Sequence, residues 1–168
     1  MAATFSFNQR NGAAAGVSTD LGASGTLWAY KNIDTSGTVD YVTNPITRTN
    51  NSYEVYVSGH FSGTYNAVTN IKFYGVSQTP GSAGISMYAG SWASGGYAAA
   101  TQITSTRATA LIPTASAAGV DISNNAALVT NANAFSNFAV VQMRTDANAP
   151  VGDVAAAQLA ATISYDEN

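Results

Sequence analysis

The sequence predicts an all-β protein, either an antiparallel β-sandwich or a jelly roll of about eight or nine strands. Short stretches rich in Val, Ile, Phe, Tyr and Thr recur along the chain, and Gly, Asn, Ser and Pro separate them. Within most stretches apolar and polar residues alternate, which gives each strand one apolar face for a core. The 168 residues contain no internal repeat and no linker-like segment, so we expect a single domain over residues 1–168.

Eight stretches carry the strand pattern. In chain order they are Thr4–Asn8, Thr26–Ile33, Tyr53–Phe61, Ile71–Ser77, Ile85–Ala89, Ile103–Ile112, Phe138–Arg144 and Leu159–Tyr165. The third alternates most regularly, with its apolar residues on one face. Glu54, Ser58 and His60 fall on the opposite, polar face.

Two alanine-rich regions, Thr114–Ala127 and Val154–Ala161, have high helix propensity, but each also contains a pattern that opposes a helix. In the second region apolar residues alternate with polar or small ones from Leu159 to Tyr165, which favours a strand. Gly119 interrupts the first region. We therefore predict a loop with local turns there.

Residues 1–16 have two interpretations. Small residues dominate Asn11–Ser24, so Met1–Arg10 is either an extended N-terminal arm lying on a neighbouring subunit or an edge strand followed by a loop. The N-terminal sequence also lacks the basic start and apolar run of a signal peptide. This pattern favours a chain that is made and used without secretion.

The low charge of the chain limits its partners. Charged residues make up 9% of the sequence, with six Lys and Arg and a net charge of −3, against about 25% charged residues in a typical soluble domain. Non-specific binding to nucleic acid and electrostatic binding to an anionic membrane both require more cations. We therefore expect no nucleic-acid partner and no membrane partner, and look instead to protein or sugar.

Residues suited to catalysis or metal binding are sparse. The absence of cysteine excludes disulfides and thiolate sites, and the single histidine, His60, has no adjacent nucleophile motif and is expected to be exposed. The acids fall mostly in turns, although two converging carboxylates would suit a glycosidase. Asp34–Asp40 resembles a calcium loop but lacks the third acid and the closing Glu of an EF-hand. We predict no enzyme activity, no cofactor and no metal.

Aromatic residues are the predicted contact surface. They fall at alternate-face positions, in glycine-rich loops or in the N-terminal segment, and rigid rings give large contact area at low entropic cost. The candidate interface residues are Phe5, Phe7, Tyr56, Tyr74, Tyr88, Trp92 and Tyr97. Aromatic ladders within a sheet are the alternative for each of them.

Two passages resemble tailed-phage virion structural proteins. Asn51–Tyr74 is similar to a recurrent strand–Gly–strand passage of small auxiliary head or capsid decoration proteins. Ala149–Gly152 together with Ile163–Glu167 resembles their terminal hairpin and strand. The resemblance implies a β-sandwich bound to a capsid lattice, often as a trimer, without a cofactor. It assigns no functional residue to a position in this chain.

Three functional hypotheses follow. The first is a non-enzymatic bacteriophage structural protein in the virion, decorating or cementing the capsid surface through contacts with capsid protein and with copies of itself as a homo-oligomer. The second is a carbohydrate-binding or adhesin module at a cell surface, with Tyr88, Trp92 or Tyr97 as the stacking platform. The third is a filament or surface-layer subunit in which Met1–Arg10 completes the sheet of a neighbour.

Overall fold

The computed structural model describes residues 3–12, 16–23, 34, 43–77, 84–124, 127–129, 134–150 and 160–168. Within these ranges the chain forms strands and two 3₁₀ turns, Ser94–Gly96 and Ser116–Ala118, and no α-helix. The strands are β1 (Thr4–Asn11), β2 (Val17–Gly22), β3 (Val55–Ser62), β4 (Ala67–Ser77), β5 (Ile85–Trp92), β6 (Ala110–Leu111), β7 (Val120–Asp121), β8 (Leu128–Val129), β9 (Ala134–Phe135), β10 (Phe138–Thr145) and β11 (Ala160–Glu167). The predicted all-β class is confirmed.

The strands form two antiparallel sheets. The seven-stranded sheet has the order β2-β1-β3-β10-β5-β6, and β9 also pairs with β3. The four-stranded sheet has the order β11-β4-β7, and β8 also pairs with β4. Because β3 and β4 are consecutive but belong to different sheets, the chain crosses from one sheet to the other between them. This arrangement is that of a β-sandwich.

One hydrophobic core contains side chains from both sheets. Phe61 of β3 and Phe73 of β4 are both fully buried in it, as is Val141 of β10. The ring of Phe61 meets that of Tyr165 on β11 edge-on, with 4.9 Å between centroids. Each fully buried side chain of this size stabilises the fold by roughly 1.5–3 kcal/mol. The alternation in β3 and β10 directs every second residue into this core.

The outer face of the seven-stranded sheet is covered by the chain itself. We call residues 97–109, between β5 and β6, the cover segment. Tyr97 and Ala100 of this segment pack on a second apolar cluster formed by Tyr56, Phe138 and Val140 of the sheet. The sheet is therefore buried on both faces over this area.

The predicted strands agree with the structure except in one region. Five of them match β1, β3, β4, β5 and β10, and the described end of a sixth matches β11. Thr26–Ile33 lies outside the described residues. The prediction for Ile103–Ile112 is wrong, because only Ala110–Leu111 is a strand. Its backbone binds side chains of the sheet instead of a neighbouring strand, as Ser105 N does with Gln142 Oε1 at 3.0 Å.

The N-terminal segment also differs from both of its interpretations. Thr4–Asn11 pairs with β2 on one side and β3 on the other. These residues are therefore an inner strand of their own sheet, and the expectation of an arm is wrong for them. Val17–Gly22, placed in a loose small-residue stretch, forms the strand β2 beside it. The predicted loop with local turns is confirmed near Ser116–Ala118.

Candidate functional site

A buried carboxylate joins the cover segment to the sheet. Glu54 precedes β3 and is 2% exposed. Its Oε2 accepts hydrogen bonds from Arg107 Nη1 at 2.8 Å and from the backbone N–H of Thr101 at 3.3 Å. Its Oε1 accepts a hydrogen bond from the hydroxyl of Ser105. A buried charge is tolerated only with such partners, and here all three belong to the cover segment.

A buried amide supports the same segment from β10. Gln142 is fully buried, and its Nε2 donates to the carbonyl oxygens of Ser52 at 3.1 Å and Ile103 at 2.8 Å. Its Oε1 accepts from the backbone N–H of Ser105 and from Arg144 Nε. Two donors and two acceptor positions are thus all used. The backbone of the cover segment is held in one register over the sheet.

Two arginines stack on the aromatic residues of this face. The guanidinium carbon of Arg107 lies 5.2 Å from the ring centroid of Trp92 and 5.9 Å from that of Tyr56. The guanidinium carbon of Arg144 lies only 3.8 Å from the ring centroid of Tyr88. Cation–π contacts of this kind contribute about 0.5–2 kcal/mol, more when desolvated. They fix the orientation of the rings.

The two arginines differ in charge balance. Arg107 is paired with Glu54. Arg144 donates from Nε to Gln142 and from Nη2 to the carbonyl oxygens of Ser105 and Ala108, at 3.2 and 2.8 Å. These acceptors are all uncharged, and among the described residues Arg144 has no carboxylate partner. No carboxylate of the described residues therefore balances the positive charge of this half-buried side chain.

Four of the seven predicted interface residues meet at this covered face. Tyr88 and Tyr97 are half-buried and Trp92 is 38% exposed, whereas Tyr56 is fully buried. The ring of Tyr56 contacts that of Tyr97 edge-on, with 4.9 Å between centroids. The expectation that Tyr56 contacts a partner is therefore corrected, since its surface is used inside the chain.

The other three predicted residues lie elsewhere. Phe7 is 3% exposed and belongs to the main core, which corrects its assignment to an interface. Phe5 is half-buried and its ring lies 5.5 Å from that of Phe61 and 5.7 Å from that of Tyr165. Tyr74 is half-buried on the four-stranded sheet.

His60 is half-buried and not exposed as expected. Its ring stacks on Phe135 with 4.5 Å between centroids, and its Nδ1 lies 3.4 Å from the hydroxyl of Ser6. That hydroxyl donates its proton to Asp20 Oδ2 at 3.2 Å. A catalytic triad needs the imidazole between the carboxylate and the hydroxyl, whereas here the hydroxyl is in the middle. This order does not activate a nucleophile.

The described residues contain no group of three or more His, Asp or Glu placed to hold a metal ion. Of the calcium-like loop Asp34–Asp40 only Asp34 is described, and its carboxylate accepts the backbone N–H of Gly12 at 3.0 Å. A cleft of about 340 Å³ lies beside β4 and β11, lined in part by Lys72 and Asp166. Lys72 already forms an ion pair with Asp121 across 2.5 Å.

Burial and charge shift the pKa values of Tyr56, Tyr97 and Asp121. Burial, and then the negative charge of Glu54, raise the pKa of Tyr56 far above its usual value. Burial, followed by the charge of Asp34, raises the pKa of Tyr97 to about 12. The hydrogen bond from Lys72 lowers the pKa of Asp121 to about 2. Tyr56 under the cover segment and Tyr97 within it are therefore neutral at physiological pH.

Sequence reasoning missed the polar residues that build this site. Glu54 and Gln142 lie in two predicted strands, and the rarity of charge in this chain was a signal that Glu54 has a specific partner. The partners Ser105 and Arg107 lie about fifty positions from Glu54, and Ser105 lies 37 positions from Gln142, in a segment that the pattern placed in a strand.

No helix in the described part of the chain has the length and hydrophobicity to span a membrane. Comparison of the chain with protein-family models, curated proteins and solved structures gave no match.

Proposed function

We propose that this protein is a non-enzymatic virion structural protein that decorates or cements a phage capsid through contacts with capsid protein and with copies of itself. The observation that carries the proposal is that three of the five exposed large apolar residues in the described part of the chain belong to the outer face of the seven-stranded sheet and its cover segment. Ile103 is 72% exposed, Leu111 62% and Trp92 38%. Large apolar side chains grouped on one face of a chain are typical of protein contact sites.

The rigidity beneath this surface supports the same proposal. The cover segment that carries Ile103 is fixed by the hydrogen bonds of Glu54 and Gln142. A surface that is ordered before binding loses little conformational entropy when a partner docks. Such a surface suits a protein that must dock many times on a repeating lattice.

The sequence resemblance supports the proposal as well. The passage Asn51–Tyr74 contains β3 and most of β4, the strands that carry the chain from one sheet to the other. The scarcity of charge, 9% of residues, fits contacts that rely on apolar and backbone groups. Contacts of that kind persist when salt screens exposed charges.

The test is co-sedimentation of the purified protein with pre-formed shells of the phage that carries it, across a series of salt concentrations. We expect saturable binding that changes little with salt, and no binding to shells of an unrelated phage. Absence of binding at every salt concentration contradicts the proposal.

A carbohydrate-binding module is the second candidate, and one observation favours it. Trp92 is partly exposed and its ring is held in place, since Nε1 donates to the carbonyl oxygen of Gly96 at 2.7 Å. A fixed indole ring is a suitable stacking platform for a sugar. A glycan array decides the matter: this candidate requires glycan binding that is lost in Trp92→Ala.

A further inference from the structure

We propose that Arg144 and three apolar side chains around it form the docking surface for an acidic segment of a partner protein, with a partner carboxylate bound to the guanidinium. The three side chains are those of Tyr88, Ile103 and Leu111, and with Arg144 we call them the Arg144 strip. The inference deepens the proposed function and rests on it, because it assigns the contact surface and the chemistry of the protein that this surface recognises.

Strand register places one side of the strip. Leu111 of β6 lies opposite Tyr88 of β5, and Tyr88 lies opposite Gln142 of β10. Directly opposed residues have their Cβ atoms about 5 Å apart on the same face. The ring of Tyr88 in turn lies against the guanidinium of Arg144, at 3.8 Å. Leu111, Tyr88 and Arg144 therefore form a continuous surface at the β6 edge.

The buried amide of Gln142 positions Ile103 on the other side of the Arg144 strip. Gln142 donates to the carbonyl oxygen of Ile103 and accepts from Arg144 Nε, so Ile103 and Arg144 are bound to the same side chain. Ile103 and Leu111 are 72% and 62% exposed. The guanidinium of Arg144 thus lies against the ring of Tyr88 and close to the backbone of Ile103, and Leu111 lies opposite Tyr88.

The charge of Arg144 identifies the partner chemistry. The three hydrogen bonds that Arg144 forms with described residues all run to uncharged acceptors and use Nε and Nη2. Within the described chain Nη1 has no hydrogen bond, and it is not one of the buried polar atoms that lack a partner. The nearby Arg107 already has a carboxylate partner, because it is paired with Glu54. An arginine in apolar surroundings binds a carboxylate more strongly than one in open water.

A protein carboxylate suits the strip better than a nucleic-acid phosphate does. Nucleic-acid affinity comes from several cations acting together, and this chain carries six Lys and Arg against nine Asp and Glu. The apolar side chains of the Arg144 strip bind a ligand best when apolar groups of the ligand pack against them. An acidic residue flanked by aliphatic ones provides both features.

The test is an NMR titration of the isotopically labelled full chain with the peptide acetyl-Leu-Asp-Leu amide, compared with acetyl-Leu-Asn-Leu amide. We expect the acidic peptide to shift the Arg144 Nε–H signal and the amide signals of Ile103 and Leu111. The neutral peptide should bind about tenfold more weakly, because it lacks the charge-assisted hydrogen bond.

Matched double variants locate the surface. Ile103→Ser with Leu111→Ser should lose the response to the acidic peptide. Val17→Ser with Val76→Ser changes residues that are similarly exposed, at 67% and 59%, outside the strip. This control pair should respond like the unmodified protein, and both double variants should keep its unfolding midpoint within the small range typical of surface changes.

Three outcomes overturn the inference: no response to the acidic peptide, equal responses to both peptides, or a response lost equally in the control pair. Broadening of the strip signals with protein concentration, without peptide, would mean that a second copy occupies the strip and would also overturn it. Binding to capsid shells is measured separately. If the protein binds capsid shells but binds both peptides equally, only this inference is rejected. If it binds the acidic peptide more tightly than the neutral one but does not bind shells, only the proposed function is rejected.

Discussion

At the scale of single residues, Glu54 is a buried carboxylate at a position where the alternation of the strand predicts a solvated side chain. Glu54 is on the polar face of the β3 passage, as the alternation predicts, yet it is 2% exposed. The reason is that the cover segment lies over that face and supplies Thr101, Ser105 and Arg107 as partners. Alternation identifies the face on which a residue lies and carries no information about what packs on that face.

Removing the charge of Glu54 should destabilise the fold. In Glu54→Gln the guanidinium of Arg107 stays largely buried, with 18% of its side chain exposed, and loses its counter-charge. Breaking a buried pair in this way costs about 3–5 kcal/mol, and we expect the lower end because Arg107 retains some contact with water. Urea unfolding monitored by tryptophan fluorescence measures the change.

Asp121→Asn is the matched control for Glu54→Gln. Asp121 forms the other described ion pair, with Lys72, but 59% of its side chain is exposed. An exposed pair contributes at most about 1 kcal/mol, so the control should be nearly as stable as the unmodified protein. Equal losses in the two variants would contradict the account of Glu54 as the residue that holds the cover segment.

Tyr56 and Tyr97, whose rings pack together between the sheet and the cover segment, should make the fold sensitive to alkali. The pKa of Tyr97 is about 12 in the folded chain, and that of Tyr56 is raised further, whereas unfolded tyrosine titrates near 10. Because the folded state holds these protons more tightly, its stability is complete below about pH 10 and falls as the pH rises towards the folded values.

Absorbance of tyrosinate and circular dichroism, recorded together from neutral to alkaline pH, test this. We expect the last tyrosines to ionise together with the loss of β-sheet signal. In Tyr56→Phe the loss of sheet signal should begin at higher pH, because phenylalanine has no hydroxyl proton to lose on unfolding. Complete ionisation of every tyrosine near pH 10 in a chain that stays folded would show that the rings are not buried as described.

At the scale of elements, the cover segment depends on a close approach to β5. The carbonyl oxygen of Arg107 would lie 2.0 Å from a Cβ at Gly90. A side chain at this position is therefore incompatible with the cover segment in its present place, and a glycine is required for steric reasons.

Gly90→Ala should displace the cover segment. We expect a loss of about 1–3 kcal/mol in the free energy of unfolding, as for other overpacked sites, together with faster amide hydrogen exchange in residues 97–109. The control is Gly95→Ala, because a Cβ there meets no atom within 4 Å. Unchanged exchange in Gly90→Ala would contradict the close packing of this segment on β5.

Backbone hydrogen bonding separates the strands that were predicted correctly from the segment that was wrongly predicted as a strand. β3, β4, β5 and β10 pair with neighbouring strands over several residues, and their alternation reflects this. Ile103–Ile112 has a similar composition, but the backbone of Ser105 binds the side chain of Gln142. Such a contact with a residue 37 positions away leaves no local pattern.

At the scale of the whole molecule, alternation and turn residues were sufficient to predict two antiparallel sheets around one core. The pairing order was beyond the sequence, since β3 lies between β1 and β10, which are far apart along the chain. Four of the seven aromatic residues predicted for an interface lie on one face of the sheet, and the interface itself stays a prediction. Tyr56 and Phe7 were misassigned because rings on exposed and on covered faces show the same spacing.

The central claim is that the covered face of the seven-stranded sheet is the surface through which the protein docks. Co-sedimentation of strip variants with capsid shells tests it most directly. We expect Ile103→Ser with Leu111→Ser to bind at least about tenfold more weakly than the unmodified chain, since each buried aliphatic side chain contributes roughly 1.5–3 kcal/mol to a contact. The control pair Val17→Ser with Val76→Ser should bind normally. Normal binding by the strip variant would contradict the claim.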